Sequence, residues 1–224
     1  MRRVIKINNL EFKLKIEYSR SKYTYVKLYG DTIIIKTPSN NVDDLLSVLI
    51  KRLEKLRLDL LPKYAFNEFL IFGFPYKLYI KDMKRKYLIF HKRRLIILNP
   101  NYKREFIKYL ANLLIKYSSK KIEKFLKLLN INIIPEIEIK IMKSKYAYLK
   151  ENKLYMSLIN VFFPKHLIDY ILIHECIHFK VKDHGFKFKK LLSMIHPYHK
   201  EAEEELKRWT IAIFYNKKIN ELIK

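Results

Sequence analysis

The hydrophobic period changes part-way along the chain, and that change restricts the fold more than any other feature. From Leu10 to Tyr18, apolar residues occupy every second position, through Phe12, Leu14 and Ile16. This is the period of a half-buried strand. "TYVKLYGDTIIIKTP" reads as a hairpin turning at Gly30-Asp31 and stopped by Pro38. "SNNVDDLLSVLIKRLEKLRLDLL" then reads as a helix. Asn41 is its cap, Asp43 and Asp44 suit its positive end, and Leu46, Leu49, Ile50 and Leu53 form its apolar stripe. Three more short strands are expected in "FLIFGFPYKLYIKD", "KYLIFH" and "RLIILNP". From about Arg104 the period becomes helical. "REFIKYLANLLIKYSSKKIEKFLKLLNI" holds one long helix or two close ones, and "EIEIKIMKSKYAYLKENKLYMSL" suggests a hairpin. Pro164 opens a further helix, and "HKEAEEELKRWTIAIFYNKKINELIK" closes the chain as helix.

These elements predict an α+β fold. A β-rich part over residues 1–105 precedes an α-rich part over 106–224, with no clear linker, so one compact unit is the alternative. No internal repeat is visible. The 224 residues, half of them hydrophobic, suffice for one sizeable core or two small ones. A single cysteine, Cys176, excludes an internal disulfide framework and fits a reducing compartment. No apolar run reaches the roughly 18 residues of a membrane span. "MRRVIKINNLEFKLK" reads as a strand, not a signal peptide. A soluble cytoplasmic protein is expected.

The formal charge of +25, from 47 Lys and Arg against 22 Asp and Glu, makes non-specific nucleic acid a candidate partner. Charge for solubility alone is the competing reading. The basic runs in "KDMKRKY" and "HKRRL" direct any such contact to the N-terminal part.

Chemistry concentrates in "LIDYILIHECIHFKVKDHGFKF". His174 and His178 stand four apart on a predicted helix, hence on one face, and can converge on one ion. Glu175 projects about 100° away from His174, where it can take a proton from water activated by a metal without binding the metal. This is the H-E-x-x-H pattern of zinc hydrolases. Zinc needs a third protein ligand and an open position, and His184 is the natural third ligand once "FKVKD" lets the helix end. A helix surface carrying two unrelated histidines is the alternative. The spacing also equals that of metzincins, but their turn glycine is replaced by β-branched Val181, so that label is rejected.

A broader resemblance starts at Met142-Lys143-Ser144-Lys145, passes through Pro164 and the motif residues His174, Glu175 and His178, and continues through Asp183-His184, Phe188 and Trp209. Over these residues, and from "IEYSRSKYTYVKLYGDTIIIKTP" through "IFGFPYKLYI", the chain resembles the YgjP-like metallopeptidase family. The resemblance implies a zincin-like α+β domain over 106–224 with one zinc ion held by His174, His178 and His184. Glu175 would be its catalytic base, and peptide or protein its substrate. Tyr146-Ala147 replaces the family's Trp-Gly, and Cys176 replaces a leucine. "HGFKF" shares a shorter likeness with SprT-type proteases. Two other functions stay open: hydrolysis of a nucleoside triphosphate, and nucleic-acid binding around a structural zinc. Cys176 is expected to be a small buried hydrophobe, and His196 and His199 surface or capping residues. Glu201, Glu203, Glu204 and Glu205 are expected to be a solvated helix start, with a third-ligand role as their alternative. Lys143 and Lys145 read as surface charge, with anion binding as theirs.

Overall fold

The computed structural model describes residues 3–7, 10–20, 22–29, 32–38, 42–142 and 145–223. The turn expected at Gly30-Asp31, the cap expected at Asn41, and Lys143 and Ser144 lie outside them, as do the side chains of Leu10, Asp43, Leu49 and Leu53. The fold is α+β, and its contacts divide the chain into two compact units. The first comprises residues 1–69 and 207–222, the second residues 70–206. A boundary near residue 105 would cut through a continuous helix. The chain instead leaves the first unit after Phe69 and returns to it within its penultimate helix.

The first unit begins with β1 (Arg3–Ile7), β2 (Leu10–Tyr18), β3 (Tyr25–Tyr29) and β4 (Thr32–Thr37). They form one sheet in the order β1-β2-β4-β3. β3 and β4 make the expected antiparallel hairpin, while β2 pairs with β4 in parallel, Leu14 opposite Ile33. Phe12, Leu14, Ile33 and Ile35 are buried, but Tyr18 is exposed, so the alternation extends beyond the stretch that is covered. Helix α1 (Val42–Lys55) follows, with Leu46 and Ile50 half-buried, then a short α2 (Tyr64–Asn67).

The second unit repeats the strand order of the first. β5 (Phe69–Ile71), β6 (Phe74–Ile80), β7 (Tyr87–Phe90) and β8 (Leu95–Leu98) lie as β5-β6-β8-β7, and a helix again follows. The stretch read as one strand breaks at Phe72 and Gly73, both at positive φ, giving two strands where one was expected. Helix α3 (Lys103–Leu128) is single and unbroken. It ends in a Schellman arrangement with Asn130 left-handed: Ile131 N–H donates to Leu126 and Asn130 N–H to Lys127.

β9 (Glu136–Lys140), β10 (Ala147–Lys150) and β11 (Lys153–Ser157) form a second sheet in the order β10-β11-β9. The expected hairpin is β10 with β11, turning through Glu151 and Asn152, both at positive φ as a type I′ turn requires. β9 runs parallel to β11 on its other side. Helix α4 (Lys165–Ile177) starts directly after Pro164 and is buried on almost every side. Its Asp169 ties it to α3, accepting from the Tyr117 hydroxyl at 2.7 Å and the Lys121 ammonium at 2.6 Å. α5 (Phe186–Ile195), α6 (His199–Tyr215) and α7 (Lys217–Ile223) complete the chain. Among the described residues, no helix is long and apolar enough to cross a membrane.

Candidate metal centre

α4 reads as an apolar helix interrupted by polar groups at its C-terminal end. Leu167, Ile168, Leu172 and Ile173 bury it, and His174 follows one turn after Tyr170. The helix tightens after Ile177. His178, Phe179 and Lys180 bond back three residues, to Glu175, Cys176 and Ile177, so the chain turns away there. Val181 needs no left-handed conformation in this turn, since it is absent from the positive-φ residues. Asp183 then accepts the Gly185 N–H at 2.8 Å, a local turn that fixes the backbone on either side of His184 before α5 begins.

These turns bring His174, His178 and His184 together. One ring nitrogen from each lies within 4.8 Å of the others, the only such group of three among the described residues. His174 Nε2 and His184 Nε2 are 2.9 Å apart. Tetrahedral coordination with bonds of about 2.0–2.1 Å places ligand atoms about 3.3–3.4 Å apart, inside the 4.8 Å that bounds the three nitrogens. The His178 Nδ1 is 3.0 Å from the Val181 carbonyl, which can only accept, so Nδ1 carries the proton and Nε2 the free lone pair. Burial, then the neighbouring His178 and His184, push the His174 imidazole down to about 4, so it stays neutral and able to ligate near pH 7. A neutral His174 imidazole suits zinc.

Phe188, buried on α5, lies beneath all three rings, with centroid distances of 4.8, 4.9 and 4.7 Å to His174, His178 and His184. Its packing restricts the imidazoles to the converging arrangement. Tyr170 meets His174 edge-on at 6.3 Å and His196 at 5.7 Å. Burial pushes its phenol up to about 12, so it remains protonated. The signals for both residues were in the sequence: Tyr170 stands one turn before His174, and Phe188 four residues beyond His184.

Glu175 is 9% exposed, and burial raises its carboxyl to about 7, with the Lys145 charge acting in the opposite sense. Lys145 sits on a segment held by three bonds from the end of β11 and the turn after it. The Ser157 N–H and Asn160 Nδ2 donate to the Tyr146 carbonyl at 2.7 and 2.9 Å, and the Ser157 hydroxyl donates to Met142 at 3.1 Å. Cys176 is fully buried, and burial pushes its thiol up to about 12, as a packed residue and not a nucleophile. The His199 Nδ1 donates to the His196 carbonyl at 3.2 Å, a capping role at the α5–α6 corner. None of Glu201, Glu203, Glu204 and Glu205 joins the histidine group, and Glu205 bonds His166 at 2.9 Å.

The chain is similar to known proteins. The chain is 40% identical over 88 residues to the uncharacterized protein MJ0123 of Methanocaldococcus jannaschii, spanning 35% of this chain and 76% of that protein. It is 36% identical to the crystallised metallopeptidase zymogen jannalysin of the same organism, over 40% of this chain and 85% of that one, with a TM-score of 0.36. The model of the YgjP-like, metallopeptidase domain family matches residues 22–209 and so takes in both the three histidines and Trp209; the chain belongs to the YgjP-like metallopeptidase family.

Proposed function

We propose that the chain is a zinc-dependent metallopeptidase that cleaves peptide bonds, with its machinery in residues 70–206. The observation that carries this is the convergence of three imidazole nitrogens within 4.8 Å, next to a buried carboxyl on the same helix. His174, His178 and His184 would hold one zinc ion. When bound, such an ion supplies Lewis acidity, which lowers the pKa of bound water to about 7 and polarises a carbonyl. Glu175 takes the proton of the attacking water and passes it to the leaving amine. A carboxyl raised to about 7 by burial suits both halves of that transfer, because it gains and loses a proton readily near neutral pH. Phe188 keeps the ligand rings in place, and the Val181 carbonyl keeps the His178 tautomer. The substrate is a peptide or protein, and the compartment is the cytoplasm, where the one free cysteine stays reduced.

Glu175→Gln tests this reading. The amide keeps the shape of the side chain and removes the base. Hydrolysis of a denatured protein substrate should fall at least a hundredfold, while zinc content per chain stays equal to that of the parent. Loss of zinc from the variant would make Glu175 a ligand, and undiminished hydrolysis would remove it from the chemistry.

A further inference from the structure

The sheet of β5 to β8 has two faces, and the register assigns each side chain to one of them. Leu98 and Ile96 of the central strand β8 are buried, and their partner Tyr87 packs on Phe106 and Tyr109 of α3. The other face is set by the alternate residues. Ile97 of β8 lies between Tyr79 of β6 and Leu88 of β7, and Leu95 lies between Lys77 and Phe90. This face carries exposed rings: Tyr79 is 56% exposed and Phe90 41%. Two aromatic rings thus stand on an open sheet surface, about 12 Å apart across the central strand by strand spacing and rise.

Both ends of that face are cationic. The connection from β6 to β7 carries Lys84, Arg85 and Lys86 at the Leu98 end, and the turn from β7 to β8 carries Lys92 and Arg93 at the Leu95 end. All five are exposed, and none has an ion-pair partner among the described residues. The nearest acid in sequence, Asp82, is held by the Asn99 side chain. A face carrying separated aromatic rings between two cationic ends matches the chemistry of a strand with alternating bases and phosphates.

We propose that this face binds single-stranded nucleic acid, with Tyr79 and Phe90 each stacking on one base and the two basic runs holding phosphates on either side. A duplex presents no free base face to these rings, so single strands are preferred. Binding of this kind is tolerant of sequence and steeply dependent on salt. It goes beyond the peptidase reading and does not depend on the metal centre.

The test uses the full chain and a labelled mixed-sequence single-stranded DNA, with the duplex made from it as comparison, read by fluorescence anisotropy at several salt concentrations in chelator. The intact chain should bind the single strand more tightly than the duplex. Tyr79→Ala with Phe90→Ala should weaken single-strand binding about tenfold or more, while Tyr79→Phe, which keeps the ring, should bind as the parent does. Changing Lys84, Arg85 and Lys86 to Glu should lower the salt slope by about 2. The same triple charge change at the exposed Lys116, Lys120 and Lys124 of α3 should leave it nearly unchanged. Equal losses from the two triple variants would reduce the effect to net charge and overturn the proposal. So would tighter binding of the duplex, or an aromatic double variant that binds normally. A face variant that alters the oligomeric state while leaving DNA affinity intact would make the face a self-association surface instead. Because hydrolysis is not read, a peptidase without this site and a site without peptidase activity give different results.

Discussion

Replacing Gly73 by alanine should destabilise the protein and loosen its metal centre from a distance. Gly73 has φ +76, and a Cβ built there meets Pro164 at 2.8 Å from Cγ, 2.9 Å from Cα and 3.0 Å from N. Ordinary contact begins at about 3.4 Å, and two of the three atoms are backbone, so they cannot swing aside. The left-handed conformation costs an alanine about 1–2 kcal/mol, and overpacking a tight contact costs about 1–3 kcal/mol. The sum is about 2–5 kcal/mol, which at about 2–4 °C per kcal/mol lowers Tm by roughly 4–20 °C. Pro164 directly precedes the first turn of α4, the helix that places His174 and His178, so zinc affinity should fall as well. Gly185→Ala is the control. Its Cβ meets only the Asp183 carboxylate, the mobile end of a side chain, at the cost of one hydrogen bond of about 1 kcal/mol. Thermal unfolding of both variants by circular dichroism, with competitive zinc titration of Gly73→Ala against the parent, would check this. A Gly73→Ala protein that melts no lower than Gly185→Ala would refute the steric argument.

Three further outcomes are expected. His184→Ala should weaken zinc binding far more than Glu203→Ala or Glu204→Ala, measured by titration against a chelating indicator, and the reverse order would make a glutamate the third ligand. The hydrogen bond that His166 donates to Glu205 raises the His166 pKa above its usual 6.5, so its stabilising effect is complete below about pH 6.5 and is lost as pH rises through the raised value. The Tm difference between the parent and His166→Gln should therefore shrink across that window, and it should be small because the ring is half exposed. Asn216→Ala removes a side chain that donates to Ala65 at 3.0 Å and Glu68 at 2.6 Å and accepts from Ile219 at 3.2 Å. Leaving these buried groups unpaired should cost about 2–5 kcal/mol in a urea titration.

The cluster of three histidines was legible because its residues lie in a short span. His174 and His178 need only one turn of helix to meet, and the return to His184 is too short to go elsewhere. The pairing of strands was less legible. Alternation tells which face of a strand is covered and says nothing of the neighbour that lies beside it. "EIEIK" and "KLYMS" therefore read equally well as hairpin partners, although they run parallel with β10 on the outside. The break at Phe72-Gly73 is hard to read from sequence because the residues on both sides are apolar and a turn inside such a run leaves no polar mark. The shared strand order of the two four-stranded sheets was hidden for a similar reason: topology can repeat while side chains do not. Phe188 belongs to the family resemblance, but its place beside the histidines depends on the angle at which α5 leaves Gly185, which spacing alone does not set.

The first unit is made from two stretches of chain with the whole of residues 70–206 threaded between them. On a ribosome this imposes an order of events. Residues 1–69 emerge first, yet the carbonyls of Ala65 and Glu68 wait for Asn216, and the rings of Phe12 and Phe66 wait for Tyr215. At about 5–20 residues per second that delay is on the order of 10 s, while the inserted unit can be complete before it ends. Through that interval the early sheet stands with part of its apolar face uncovered, a natural client for a holding chaperone. A message truncated shortly before codon 207 would yield a chain that still carries its three clustered histidines and is unable to finish the unit it started with.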